Sequence, residues 1–203
     1  MSAERAVLVI GTLDTKGPEI AFLRDELRAH EVTPIVVDVG SFEPPWRPDI
    51  DRSAVAFLAD KQQATSEGCE TRAVAIEVMM DGIRRLTREL FSSGRICGMI
   101  GIGGSSGAAI ASAAAEVLPV GVPKVIVSTV AAGDTRPYVG TRDIHMIHSV
   151  VDLIGLNRVT REVLRNAAAS LCGMVKGGAK PVPCGPPPII GITCFGEIGR
   201  AHV

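Results

Sequence analysis

Four short apolar runs, each bounded by glycine, proline or polar residues, constrain the fold of this chain more than any other feature. They occupy residues 6–10, 33–39, 96–102 and 124–129. Segments with the apolar spacing of helices separate the first run from the second and the third from the fourth, an alternation typical of βαβ units. Strands of a parallel sheet are covered on both faces and are therefore continuously apolar. We predict an α/β fold: a three-layer, Rossmann-like open parallel sheet.

The segments between these runs predict the remaining elements. Residues 20–30, 71–91 and 157–174 have helical periodicity, and residues 108–118 form an alanine-rich helix. Residues 40–66 contain three prolines around Trp46 and are predicted to lie outside the sheet, with one or two helical turns at residues 54–59. The apolar stretch at residues 144–153 fits either a strand or a helix.

The carboxyl-terminal part differs in composition from the rest. Residues 177–188 are rich in glycine and proline, as linkers are, and residues 189–196 look like the first strand of another unit. We expect residues 1–176 to form the first lobe of a two-lobed domain, with the second lobe truncated. Residues 197–203, EIGRAHV, resemble the translation of a common sequencing adapter and are expected to be an adapter-derived tail. A genuine short tail is the alternative.

Composition argues against several classes of protein. The 203 residues are 46% hydrophobic and 21% charged, which is typical of a globular domain. A formal net charge of -1 without a basic cluster argues against nucleic-acid and membrane partners. The first apolar run is too short for a signal peptide, and five cysteines without a CxxC pair indicate reduced thiols rather than a zinc site. We expect a cytoplasmic address.

Three loops follow predicted strands, at residues 11–19, 103–107 and 132–143. Ligands of open α/β sheets bind outside the carboxyl ends of the strands, so these loops should cluster around one site. In the second loop, GGSSG, glycines would let the backbone approach an anion at the positive end of the following helix. The alternative is a tight strand-to-helix turn that needs small residues. The spacing matches neither the dinucleotide fingerprint nor a P-loop.

The other two loops also leave two interpretations open. In GTLDTKGPE, Thr12 and Thr15 would donate to a ligand, Lys16 would supply charge, and Asp14 would accept a ribose hydroxyl or hold magnesium. The alternative is that Asp14 or Thr15 is merely a helix N-cap. In AGDTRPYVGTRD, arginines suit bidentate phosphate contacts, and the alternative is a loop with internal salt bridges.

Three further residues are weaker candidates. Asp38 ends the second predicted strand, where an acid often contacts a ribose. His145 and His148 suit a metal site only if their segment is helical and a third ligand comes from elsewhere. Packed or surface histidines are the favoured interpretation, and no metal site is predicted. No Ser-His-Asp order or nucleophile elbow is present, so no catalytic residue is assigned.

Together the three loops resemble those of a known family. The segments GTLDTKGPE, GIGGSSGAAI and STVAAGDTRPYVGTRDIHMIHSVVDLIGLNR are similar to the ATP-binding N-terminal domain family of the tomato mosaic virus resistance protein and its bacterial and fungal relatives. The resemblance spans residues 6–196. It implies a two-lobed domain that binds ATP, with or without magnesium, and a homodimer in the full-length protein. The implied nucleotide site comprises Gly11, Thr12, Asp14, Thr15, Lys16, Gly103, Gly104, Ser105, Ser106, Gly107, Gly133, Asp134, Thr135 and Arg136.

These observations lead to the hypothesis of a truncated ATP- or nucleotide-binding domain. One alternative is an enzyme acting on a small phosphorylated or acyl substrate in the same cleft, with Asp14 or Asp134 as acid/base and Arg136 as anion clamp. Another is an interaction scaffold whose bound nucleotide is structural.

Overall fold

The computed structural model describes residues 6–59 and 72–178, which form an open α/β sandwich around one parallel sheet. The order of the strands in the sheet is β2-β1-β3-β4-β5, and every neighbouring pair is parallel. The predicted fold class is therefore confirmed. The strands of the described part are β1 Ala6–Gly11, β2 Pro34–Asp38, β3 Ile96–Gly103, β4 Lys124–Ser128 and β5 His145–His148.

Helices cover both faces of the sheet. Helices α1 and α6 pack on the face that carries Val7 and Val9, whereas α2, α3 and α4 pack on the face that carries Leu8 and Ile10. Successive residues of a strand point to opposite faces, so each continuous apolar run supplies both layers of the core. The helices are α1 Leu13–Ala29, α2 Arg52–Leu58, α3 Arg72–Ser92, α4 Ser105–Glu116, α5 Arg136–Val139 and α6 Arg158–Lys176, with a 3-10 turn at Thr129–Ala132.

Small residues bring α4 unusually close to the sheet. A Cβ atom at Gly101 would lie 2.3 Å from the Cβ of Ala111, so only glycine fits at this point of β3. The alanines of α4 are buried as a group against β3 and β4. This contact fixes where α4 begins, and therefore where its amino-terminal N–H groups point.

The first helix differs from the prediction. It begins at Leu13 rather than near residue 20, so most of the segment predicted as a loop at residues 11–19 is helical. Gly17 and Pro18 suggested a loop, but the backbone accommodates them through a kink at Lys16, whose φ and ψ are -126° and 18°. Neither Asp14 nor Thr15 is the N-cap, because that position belongs to Thr12.

The structure agrees with the predictions for α6 and α2 and resolves an ambiguous segment. Helix α6 begins beside Asn157, as predicted, and Asn157 caps it, because its Oδ1 accepts a hydrogen bond of 2.9 Å from the N–H of Thr160. The ambiguous stretch at residues 144–153 contributes the edge strand β5, and residues 54–59 overlap α2. Of the cysteines in the described part, Cys97 is half-buried and Cys172 is buried.

The remaining expectations concern residues outside the described part. They are the linker and strand expected beyond Gly178, the suspected tail at residues 197–203, and three of the five cysteines. Within residues 6–59 and 72–178, no helix has the length and apolarity required to cross a membrane.

Candidate functional site

The strand order creates one crevice at the carboxyl edge of the sheet. The chain leaves β1 at Gly11 toward α1 on one face, and it leaves the adjacent β3 at Gly103 toward α4 on the opposite face. Between two such strands the connections diverge, and open α/β proteins bind their ligands at this switch point. The first two predicted loops therefore begin side by side, and the loop after β4 lies next to them.

The glycines of the second loop are not equivalent. A Cβ atom at Gly103 would lie 2.9 Å from the Cα of Gly107, and one at Gly107 would lie 3.3 Å from the carbonyl oxygen of Ile102. Packing of β3 against α4 therefore requires both of them. Gly104 has open space around the position of a Cβ and a φ of -76°, which any residue adopts. Packing thus gives no reason for glycine at position 104.

Gly104 occupies the N-cap of α4, and this helix end is open. No side chain of the described residues caps it, and its first turn contains no acidic residue. The first N–H groups of any helix lack intrahelical partners and carry about half a positive charge together. Ser105 is exposed beside them, and Ser106 is half-buried. This arrangement suits an anion.

A buried carboxylate accepts a hydrogen bond from the first turn of α1, and the sequence made this residue only a weak candidate for a ribose contact. Asp38, at the end of β2, has no exposed surface, and its Oδ1 accepts hydrogen bonds from the N–H groups of Leu13, at 3.0 Å, and Gly40, at 2.9 Å. Its Oδ2 lies 3.9 Å from Nη1 of Arg52. An acid at the end of a strand gives no sequence signal that distinguishes such a cap from a ligand contact.

Asp14 is also engaged within the protein. Its Oδ2 accepts two hydrogen bonds of 2.9 Å, from the N–H groups of Ser41 and Phe42. Its Oδ1 is buried and has no hydrogen-bond partner in the part of the chain that the structure describes, and a Cβ at Gly40 would lie 2.7 Å from it. Asp14 thus holds the segment that follows β2 against the first turn of α1.

The other polar residues of the first loop lie near the surface. The hydroxyl oxygens of Thr12 and Thr15 are 2.8 Å apart, and the Thr15 hydroxyl also donates to the carbonyl of Thr12 at 3.3 Å. Lys16 is half-buried at the kink, and its ammonium forms no ion pair with any residue that the structure describes.

The third loop contains an internal ion pair. Nε of Arg136 lies 2.8 Å from Oδ1 of Asp134, and Nη2 lies 2.7 Å from Oδ2. This bidentate contact lowers the pKa of Asp134 and raises that of Arg136. Gly133 is exposed, and the carbonyl of Thr135 accepts the first hydrogen bonds of α5. The Asp134 carboxylate therefore offsets the positive charge that Arg136 would present to a ligand.

The far end of this loop lies elsewhere, so the expectation that all of residues 132–143 would cluster with the other loops is wrong. Asp143 precedes β5, which is parallel to β4, and therefore lies at the amino edge of the sheet. Its Oδ1 is 2.6 Å from Nζ of Lys124, a fully buried ammonium that also donates to the carbonyls of Pro119 and Val122, both at 2.8 Å. A contact across 19 residues leaves no local pattern in the sequence.

The ion pair shifts the pKa values of both partners. Burial lowers the pKa of Lys124, against the opposing effect of the Asp143 carboxylate. Burial alone would raise the pKa of Asp143, but hydrogen bonds from Lys124 and from the N–H of Gly121 outweigh it, and the net shift is downward.

Two other observations concern groups outside these loops. Glu19 is fully buried in α1, and its Oε1 accepts a hydrogen bond of 2.6 Å from the N–H of Gly155. His145 and His148 lie in β5 and are exposed, and a spacing of three places their side chains on opposite faces of the strand. Within residues 6–59 and 72–178, no group of three or more His, Cys, Asp or Glu residues is arranged to hold a metal ion.

The family of the chain follows from its sequence match. Residues 5–180 match the family described as "Uncharacterised protein family (UPF0261) N-terminal domain". The chain belongs to this family. A UPF0261 protein of Clostridium tetani is 46% identical over 193 residues, and UPF0261 protein mlr3387 of Mesorhizobium japonicum is 40% identical over 195 residues. Both alignments cover 95% of this chain.

The UPF0261 relatives include a plant protein. The ToMV resistance protein Tm-1(GCR237) of Solanum lycopersicum is 34% identical over 190 residues, which cover 84% of this chain. The relationship expected from the three loops is thereby confirmed. The chain spans about half the length of the bacterial relatives, 48% and 47%, and 25% of the tomato protein.

Proposed function

We propose that this UPF0261 domain binds a nucleotide, ATP, with its phosphate groups at the amino-terminal end of α4. The observation that carries the proposal is Gly104, whose Cβ position opens into free space at an uncapped helix start with no acid in its first turn. Because the two neighbouring glycines are needed for packing and Gly104 is not, its lack of a side chain is best explained by the approach of a ligand.

Neighbouring groups at the same edge support this proposal. Lys16 adds a positive charge from the first turn of α1, and Ser105 and Thr12 add hydroxyl donors. A cavity of about 470 Å³ lies beside the end of β2 and includes Trp46 among its lining residues. Its size is sufficient for a base and a ribose, and an aromatic ring provides a surface on which a base can stack.

Binding is better supported than catalysis in this cleft. Asp14 holds two backbone N–H groups, and Asp134 is paired bidentately with Arg136, which lowers its pKa. A general acid or base needs access to the substrate and a pKa near the working pH. Asp14 is engaged by backbone N–H groups, and the pKa of Asp134 is shifted away from neutral pH. Magnesium that accompanies the nucleotide would be held chiefly by the phosphates.

Calorimetric titration of ATP, with and without magnesium, into the 203-residue chain tests the proposal. Wild type should bind saturably, and Gly104→Ala should bind more weakly, because its methyl group meets no protein atom within 4 Å but would occupy the space through which the phosphates approach. Gly104→Asp should weaken binding by about tenfold or more, since its carboxylate would compete for the N–H groups and repel the phosphates. Affinities of both variants equal to that of wild type, or no saturable binding by folded wild type, would contradict the proposal.

A further inference from the structure

A second cavity, of about 710 Å³, opens at the amino edge of the sheet. Its walls come from the end of α3, the turn that follows α4, and the segment between α5 and β5. The 12 residues of α4 rise about 1.5 Å each, so this cavity lies roughly 18 Å from Gly104, at the opposite end of the same helix. It is separate from the proposed nucleotide site.

Two arginines bring uncompensated positive charge to this cavity. Arg88 comes from α3 and Arg142 from the segment before β5, and both are exposed. In the described part of the chain, neither guanidinium takes part in an ion pair. Two guanidiniums from different elements thus converge on one cavity.

The acids that surround the cavity are already neutralised. Glu116 lines it, but its Oε2 accepts hydrogen bonds from Nε and Nη2 of Arg84, at 3.1 and 3.0 Å. Asp143, next to Arg142, is engaged with Lys124 at 2.6 Å and with the N–H of Gly121 at 2.7 Å. The carboxyl end of α4 adds only about half a negative charge, so about one and a half positive charges remain in excess.

The remaining walls indicate a small ligand. Thr141 supplies a hydroxyl group, while Val117, Pro119 and Val139 form an apolar side. A volume of this size is ordinary for a site that takes a small molecule. Guanidinium groups match the geometry of phosphate oxygens because two parallel N–H donors can contact one phosphate.

We propose that this cavity is a second anion site, in which Arg88 and Arg142 bind the phosphate group of a small organic phosphate whose carbon skeleton lies against Pro119 and Val139. The site does not depend on the proposed nucleotide function. It uses other residues, at the other end of α4, and either site can exist without the other.

Amide chemical shifts of the 15N-labelled 203-residue chain test this second site. Inorganic phosphate and glycerol 3-phosphate are the probes, and Gly104→Asp is the background, so that phosphate at the start of α4 does not contribute. We expect saturable shifts at the amides of Gly140, Thr141 and Arg142, with tighter binding of glycerol 3-phosphate because its carbons reach the apolar wall. The double variant Arg88→Gln/Arg142→Gln should weaken binding by about tenfold or more.

Arg28→Gln is the matched control, because it removes one exposed arginine from the end of α1, which packs on the opposite face of the sheet. It should leave both affinities unchanged. The proposal is overturned if the shifts at residues 140–142 are absent, or if the control and the double variant weaken binding equally. Loss of ATP binding in Gly104→Asp with retained phosphate shifts at residues 140–142 would show that the two sites are distinct.

Discussion

The starts of α1 and α4 lie side by side at the same edge of the sheet, yet their polar groups are used differently. At α1, the carboxylate of Asp38 accepts the N–H of Leu13, and Asp14 holds the neighbouring segment. At α4, no side chain caps the helix, and Gly104 leaves the space in front of it open. The loop at residues 11–19 has more polar side chains, but the fold uses several of them in internal hydrogen bonds. The loop at residues 103–107 has fewer polar side chains, yet its backbone N–H donors remain available to a ligand.

Removal of the cap of α1 should have the largest effect on stability. Asp38→Ala leaves the buried N–H groups of Leu13 and Gly40 without an acceptor, and each orphaned group costs roughly 1–3 kcal/mol. We expect urea denaturation to show a loss of about 2–5 kcal/mol in the free energy of unfolding. Thr15→Ala, which removes an exposed hydroxyl from the same helix, is the control and should cost less than about 0.5 kcal/mol. A similarly small loss of unfolding free energy in both variants would show that Asp38 does not stabilise the start of α1.

The ion pair between Lys124 and Asp143 stabilises the amino edge of the sheet in a similar way. Asp143→Asn leaves the buried ammonium of Lys124 without a counterion, which should cost about 2–3 kcal/mol, less than for a fully buried pair because Asp143 is partly exposed. The double variant Lys124→Met/Asp143→Asn should recover most of this loss, since an apolar side chain needs no partner.

The pH dependence of that loss follows from the sign of the shift. The folded-state pKa of Asp143 is lowered, so its contribution is fully present above the unfolded pKa and disappears as the pH falls through the folded value. Thermal melting of wild type and Asp143→Asn should therefore converge in acid and differ near neutral pH. A constant difference across the acid range would show that the carboxylate charge contributes nothing.

The two adjacent glycines of the second loop should respond differently to a methyl group. Gly103→Ala places its Cβ 2.9 Å from the Cα of Gly107, and overpacking of this kind costs roughly 1–3 kcal/mol. Gly104→Ala meets open space and should change the free energy of unfolding by less than about 0.5 kcal/mol. Equal losses in thermal melts would mean that the start of α4 is packed rather than open.

The smallest expected change in the free energy of unfolding is a stabilisation rather than a loss. Gly104→Asp provides α4 with a capping carboxylate at its positive end, and it should raise the free energy of unfolding by about 0.3–1 kcal/mol at low salt. Chemical denaturation measures this gain, which should shrink at high ionic strength. A destabilised Asp variant would show that Gly104 has a structural role, and its loss of ATP binding would then no longer distinguish the sites.

The sequence predicted the sheet well because its signal is local. The apolar runs of β1 to β4 mark the strands, and Asn157 marks the start of α6 through a cap only three residues long. The start of α1 was missed because Gly17 and Pro18 suggest a loop in any local window, whereas the helix depends on Asp38, which is 25 residues from Leu13 along the chain.

The candidate site was predictable in position but not in detail. Strand order brings the ends of β1 and β3 together, as the motifs suggested. The partners of Asp14 and Lys124 come from other elements, so their side chains look available in the sequence although the fold has engaged them. The open space in front of Gly104 likewise results from the way α4 packs on β3, so it could not be predicted from the loop sequence.

Amide chemical shifts of the 15N-labelled chain during an ATP titration test the central claim most directly. The account predicts that the largest shifts occur at residues 104–107, at the start of α4, with smaller shifts at residues 12–16 and around Trp46, which lines the cavity proposed for the base and the ribose. Shifts confined to residues 38–53, with residues 104–107 unchanged at saturation, would contradict the account, because the phosphates would then lie away from the start of α4.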